Sequence, residues 1–248
     1  MPRHLPAILA LLICAALALH GPIAQFAGYH QFADQARWMG IPHTGDVLSN
    51  LGFAVVAAWG AWHLRALFAP ASGLPSRYGY GLYLAGLFLT AIGSSYYHLA
   101  PDDARLVWDR LPIALTCAGL LAAVRAECGM SMDEGRETML LGLAAAAGVL
   151  WWRLTDLQGA GDLRWYLLFQ ILPPLLVPLW QAMAGAPRER RLAVFAAIAL
   201  YALAKLAELV DHQLMALLHA LSGHTLKHLL AAAAAALLLP RQPKLKPI

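Results

Sequence analysis

Three histidines, a serine and an aspartate carry the reactive chemistry of this chain, and all five sit in segments that otherwise read as lipid-buried. They fall in two runs. Gly93-Ser94-Ser95-Tyr96-Tyr97-His98 is followed closely by Trp108-Asp109-Arg110, and Gly223-His224-Thr225-Leu226-Lys227-His228 lies near the other end. Ionisable groups at membrane depth are costly, so a functional site is their default reading. Ser94 and His98 are four residues apart, as are His224 and His228, which puts each pair on one face of its helix. Two such faces can converge on a single point. Three neutral imidazoles there, with a fourth position open, are the ligand set of a catalytic zinc.

Zinc held by three imidazoles keeps its full charge, lowers the pKa of a bound water from about 15.7 to about 7, and polarises a carbonyl. Asp109, a carboxylate outside the ligand set, is placed to take the water's proton and pass it to a leaving group. Ser94, one turn from a ligand, can hold the water or donate to an oxyanion. These parts suffice to hydrolyse an amide or an ester, and in an apolar setting the substrate is a lipid. Trp108-Asp109-Arg110 also fits an interfacial anchor with a local ion pair. Gly93-Ser94-Ser95 is not a G-x-S-x-G elbow, and no H-E-x-x-H is present.

Lys205, Glu208 and Asp211 follow at i, i+3 and i+6 on one helix face. They read either as a buried ion pair or as carboxylates that orient a ligand histidine. His20, His30, His43, His63 and His219 read as helix-packing hydrogen bonders, and Ser49 and Asn50 as helix–helix glue.

The elements that must position these groups read as an all-α membrane bundle. The chain is 60% hydrophobic and 13% charged, against about a quarter charged in soluble domains. Residues 1–24 form an N-terminal hydrophobic helix, either an anchor or a signal-like segment with an A-x-A match at Ala16-Leu17-Ala18. A polar-aromatic connector follows. Seven apolar segments are then expected at about 46–68, 78–99, 107–125, 137–154, 163–184, 190–211 and 217–239, each near the length of about 20 residues that spans a bilayer. Together, residues 25–240 form one seven-helix core, and 241–248 a short basic tail. Pro173, Pro174 and Pro178 should kink their segment. Cys14, Cys117 and Cys128 have no C-x-x-C spacing and read as core filler. Nothing points to nucleic acid.

Basic residues set the orientation. Arg65, Arg77, Arg125, Arg136, Arg188, Arg190 and Arg191, with Arg3, Arg241, Lys244 and Lys246, fall on one side and outnumber Arg37, Arg105, Arg110, Arg153 and Arg164 on the other. The richer side is cytoplasmic, and so is the C-terminus. His98, Asp109, His224 and His228 then share the non-cytoplasmic leaflet.

Together the motifs Gly93-Ser94-x3-His98, Asp109 within Trp-Asp-Arg-Leu-Pro, and Gly223-His224-x3-His228 resemble those of the alkaline ceramidase family. The wider group holds progestin/adipoQ receptors and Per1-like lipid-remodelling proteins. Asp46-Val-Leu-Ser49-Asn50 and Gly161-Asp-Leu-Arg-Trp-Tyr166 also resemble bacterial-type members, and the likeness covers about residues 29–235. It implies zinc on His98, His224 and His228, a water-activating Asp109, a supporting Ser94, and cleavage of ceramide to sphingoid base and fatty acid. In two respects the chain departs: the added N-terminal helix, and a 29–46 stretch with only Asp34 and Asp46, too few oxygens to support calcium. A receptor-like lipid sensor with a structural zinc, and a Per1-like ester hydrolase, are the alternatives.

Overall fold

A computed structural model describes residues 4–65, 68 and 76–240. The Pro70 to Pro75 loop, the basic tail 241–248 and Arg3 of the charge pattern lie outside the described residues. Among those described, α1 spans Leu5–His20 and a two-residue hairpin pairs β1 (Arg37–Trp38) with β2 (Ile41–Pro42). The helices α2 (Thr44–Ser49), α3 (Leu51–His63), α4 (Arg77–Leu99), α5 (Asp103–Glu127) and α6 (Glu134–Asp156) follow. The chain continues through α7 (Arg164–Met183), α8 (Arg188–Leu209), α9 (Asp211–Leu218) and α10 (Gly223–Leu238).

Four of these, α5 to α8, are long and apolar enough to cross a membrane. Their outward faces fit that setting: Leu140, Leu143, Leu150 and Leu154 on α6, and Leu192, Phe195, Leu203 and Leu206 on α8, are exposed. Contiguous apolar surface of this kind is not stable against water. The helix α5 is the hub, packing on α4, α6 and α7, while α10 lies against α8 and α3. Three glycines let these helices touch. A Cβ at Gly79 would come within 2.3 Å of the Ala123 backbone nitrogen, one at Gly119 within 2.4 Å of Tyr83 N, and one at Gly86 within 2.4 Å of the Thr116 hydroxyl. Small residues of this sort set the closest approach of apolar helices.

Two expected segments are broken. The run placed at 46–68 divides at Asn50, because the Ser49 hydroxyl and the Asn50 amide both donate to the Asp46 carbonyl, at 3.1 and 2.8 Å, in competition with the helix ladder. The run placed at 217–239 begins only at Gly223. His219 closes α9 in the left-handed conformation at φ 60°, and the Ser222 hydroxyl caps α10 by accepting from Thr225 N. The helix ending at 211 stops at Leu209, so Asp211 opens α9 instead of continuing the face of Lys205 and Glu208. By contrast α7 runs unbroken as one element through its three prolines.

Asp162, in the loop before α7, anchors the N-terminal helix. Its carboxylate accepts from Ile23 N (3.2 Å), the Trp151 indole (2.8 Å) and Arg164, and the Arg164 guanidinium also reaches the Ala18 carbonyl at 3.2 Å. Burial pushes this carboxyl up, but the bonds from Arg164, Trp151 and the backbone outweigh it and hold the group well below the usual carboxylate range.

Candidate metal centre

The histidines of α4 and α10 meet in the interior. His98, His224 and His228 are all buried, and their ligand nitrogens lie within 4.8 Å of one another. The Nε2 atoms of His98 and His224 are 3.2 Å apart. Two imidazole nitrogens on one tetrahedral zinc, each bonded at about 2.0 Å, stand roughly 3.3 Å apart. Three uncharged nitrogen donors at this spacing could hold a metal ion.

Each motif glycine is a point where backbones touch. A Cβ on Gly93 would sit 1.9 Å from the Trp108 carbonyl oxygen, and one on Gly223 would sit 2.1 Å from the Ala207 carbonyl oxygen. The first contact brings α4 against the turn of α5 that carries Asp109; the second seats the start of α10 on the end of α8. Pro112 contributes to the first. Lacking an N–H, it leaves the Trp108 carbonyl, four residues back, without its helical donor, and that oxygen lies where only glycine fits.

Polar side chains then fix α10. Asp211 accepts from the backbone N–H of His224 at 2.7 Å and of Ala33 at 2.8 Å. Asp46 accepts from Ser222 at 2.9 Å and Thr225 at 2.6 Å, and Asp34 accepts from Asp46 N at 3.0 Å. The Ser49 hydroxyl lies 2.8 Å from His228 Nδ1. With the hydroxyl proton on the Asp46 carbonyl, 3.1 Å away, Ser49 accepts from Nδ1, the tautomer that leaves the Nε2 lone pair of His228 for the cluster. Ser49 therefore holds the His228 ring as well as packing two helices. Asp211 holds the backbone of His224, and Glu208 lies 3.9 Å from His224 Nδ1, so neither carboxylate hydrogen-bonds a ligand ring.

Beside the histidines is a cavity of about 200 Å³, largely apolar, running between α4, α5, α7, α8 and α10. Ser94, Asp109, Glu208, Lys227, Lys205 and His228 line its polar part. The Ser94 hydroxyl lies beside the Asp109 carboxylate. Sequence reasoning missed Lys227. Its ammonium is 2.9 Å from Glu208 Oε1 and 2.9 Å from His224 Nε2, and Glu208 Oε2 is 3.0 Å from Lys205. Its position three residues after His224, on the same helix face, was the available signal.

The connector closes the other side. Phe32 lies against both His98 and His224, with ring centroids 4.7 and 4.4 Å apart. His30 bonds Tyr97 Oη at 2.7 Å and Asp103 at 3.1 Å, and His43 bonds the Asp34 carbonyl. These two act as the packing histidines expected of them. Arg110, buried next to Asp109, stacks 4.0 Å from the Trp152 ring and donates to Gln25 at 2.6 Å.

Comparison with protein-family models, with curated proteins and with solved structures finds no match to this chain.

Proposed function

We propose that the chain is a membrane-embedded, zinc-dependent hydrolase that cleaves a lipid amide to an amine and a free fatty acid. Ceramide is the amide that the alkaline ceramidase resemblance implies. The observation that carries the reading is the buried His98, His224 and His228 cluster beside a largely apolar cavity of about 200 Å³ that His228 and Asp109 both line. A cluster meant only to join helices has no need of such a cavity.

Zinc on the three imidazoles would supply a Lewis acid and a water acidic enough to react at neutral pH. The chain's own residues do the rest. His98, His224 and His228 hold the cation and stay neutral. Asp109 accepts the proton of the attacking water and returns it to the amide nitrogen as the C–N bond breaks, so the amine leaves uncharged. Ser94 orients Asp109 from one helical turn before His98. Phe32 keeps bulk water off the histidines, and the apolar remainder of the cavity takes the acyl chain.

We read α2 with α3, α4, α5, α6, α7, α8 and α10 as the seven-helix core, with α1 as an added N-terminal helix. The basic-residue pattern puts the C-terminus in the cytoplasm and the histidines toward the opposite leaflet.

The test is fatty acid release from ceramide by detergent-purified protein, measured by mass spectrometry beside metal content. The wild type is expected to carry one zinc per chain and to release fatty acid. Asp109→Asn is expected to keep the metal and lose activity by about 10²- to 10⁴-fold. A metal-loaded wild type that cleaves neither ceramide nor other lipid amides would sink the proposal, and cleavage of matched esters alone would move it to an ester hydrolase.

A further inference from the structure

Lys227 is the group that the reading above leaves unused, and it is the charged side chain nearest the ligand nitrogens. Its ammonium approaches the same His224 Nε2 that faces His98 Nε2 at 3.2 Å. That nitrogen has one lone pair. Either Lys227 donates to it or a metal ion takes it. The second strong contact, to Glu208 at 2.9 Å, is independent of the histidine, and Lys205 braces the other oxygen of Glu208 at 3.0 Å. An ammonium has three donors. With the His224 lone pair given to a metal, the head of Lys227 must swing off that nitrogen; Glu208 keeps its hold on the ammonium, and at least one N–H is freed for the cavity that Lys227 and Asp109 line together.

We infer that Lys227 is a further catalytic residue of the same site. Its ammonium donates to the carbonyl oxygen of the scissile amide as negative charge builds there, with Glu208 and Lys205 as its positioning residues. No proton is transferred; the cation acts by charge and direction, as fixed donors do at a developing oxyanion. The inference rests on the amide-hydrolase reading. Lys205, Glu208 and Lys227 thereby gain a use that a structural ion pair lacks: two ammoniums share one carboxylate, which leaves one of them a donor to spare for an oxygen in the cavity. Asp109 and Lys227 then divide the work, the carboxylate moving the proton and the ammonium stabilising the oxygen.

Lys227→Met separates this role from mere support, because it moves two measurements in opposite directions. Removing the competing donor and its positive charge should raise Zn2+ affinity, by on the order of tenfold in competition titrations against a chelator. The same change should lower kcat for fatty acid release from ceramide by on the order of a hundredfold with KM little altered. Lys227→Arg, which keeps the charge, should stay near the wild-type affinity. A misfolded or loosened variant cannot bind metal more tightly, so the rise in affinity excludes simple damage. Zn2+ affinity that stays level or falls in Lys227→Met overturns the inference and leaves the hydrolase reading standing. A raised KM with kcat unchanged also overturns it, since the ammonium would then bind substrate without favouring the transition state. A wild type that releases no fatty acid takes down the hydrolase reading and, with it, the donor role given to Lys227.

Discussion

The two helix ends that bring the imidazoles together are held by different physics. His228 and His224, at the start of α10, are fixed by hydrogen bonds: Ser49 on the His228 ring, Asp211 on the His224 backbone, and Asp46 on the cap residues Ser222 and Thr225. His98, at the end of α4, is fixed by shape. Its Nδ1 has no hydrogen-bond partner among the described residues, and around it are the rings of Phe32 and Tyr97 and the close contact of Gly93 with α5. A ligand set built from one polar arm and one steric arm should fail in two distinguishable ways. Polar supports tune the affinity for the ion, while steric supports decide whether the bundle closes at all.

That contrast can be broken most completely at the ligands themselves. His98→Ala and His228→Ala are each expected to take bound zinc from one per chain to near none by elemental analysis, whichever arm is hit. Retention of a full equivalent by either variant would remove that histidine from the site. Gly93→Ala comes next, because the added carbon must force the α4 and α5 backbones apart. A loss of about 3 kcal/mol in thermal or denaturant unfolding is expected, falling on stability before metal affinity. Ser49→Ala is the smallest and the sharpest: a drop of about 10- to 100-fold in zinc affinity with the unfolding midpoint of the metal-free protein nearly unchanged. Equal effects of the glycine and serine changes on both measurements would erase the distinction between the arms.

Much of this was legible in the sequence. The four long apolar helices α5 to α8 followed from apolar runs, and the spacing of Ser94 with His98 and of His224 with His228 was enough to place the three histidines on facing surfaces. The breaks were not legible. At Asn50 the outcome depends on two side chains competing for one carbonyl, and at His219 on a left-handed residue that most sequence patterns do not mark. Nor were the supports. Ser49 and His228, like Lys227 and Glu208, meet only after separate helices have been rotated and docked, and no local period records that rotation. Asp211 shows the same limit: it was read on a helix face, whereas its work is to receive the backbone of another helix's first turn.

Pro112 and Gly93 have a consequence for how such a chain can drift over generations. The proline leaves a carbonyl without its donor and the glycine gives that oxygen room. Replacing Pro112 returns a donor to the oxygen but leaves the backbone where it is, whereas replacing Gly93 meets the crowding at full strength, because the Trp108 carbonyl carbon too would lie 2.8 Å from the added Cβ. Position 93 should therefore stay glycine across descendants of this sequence even where position 112 varies, a signature that comparing many such chains could read without any protein being purified.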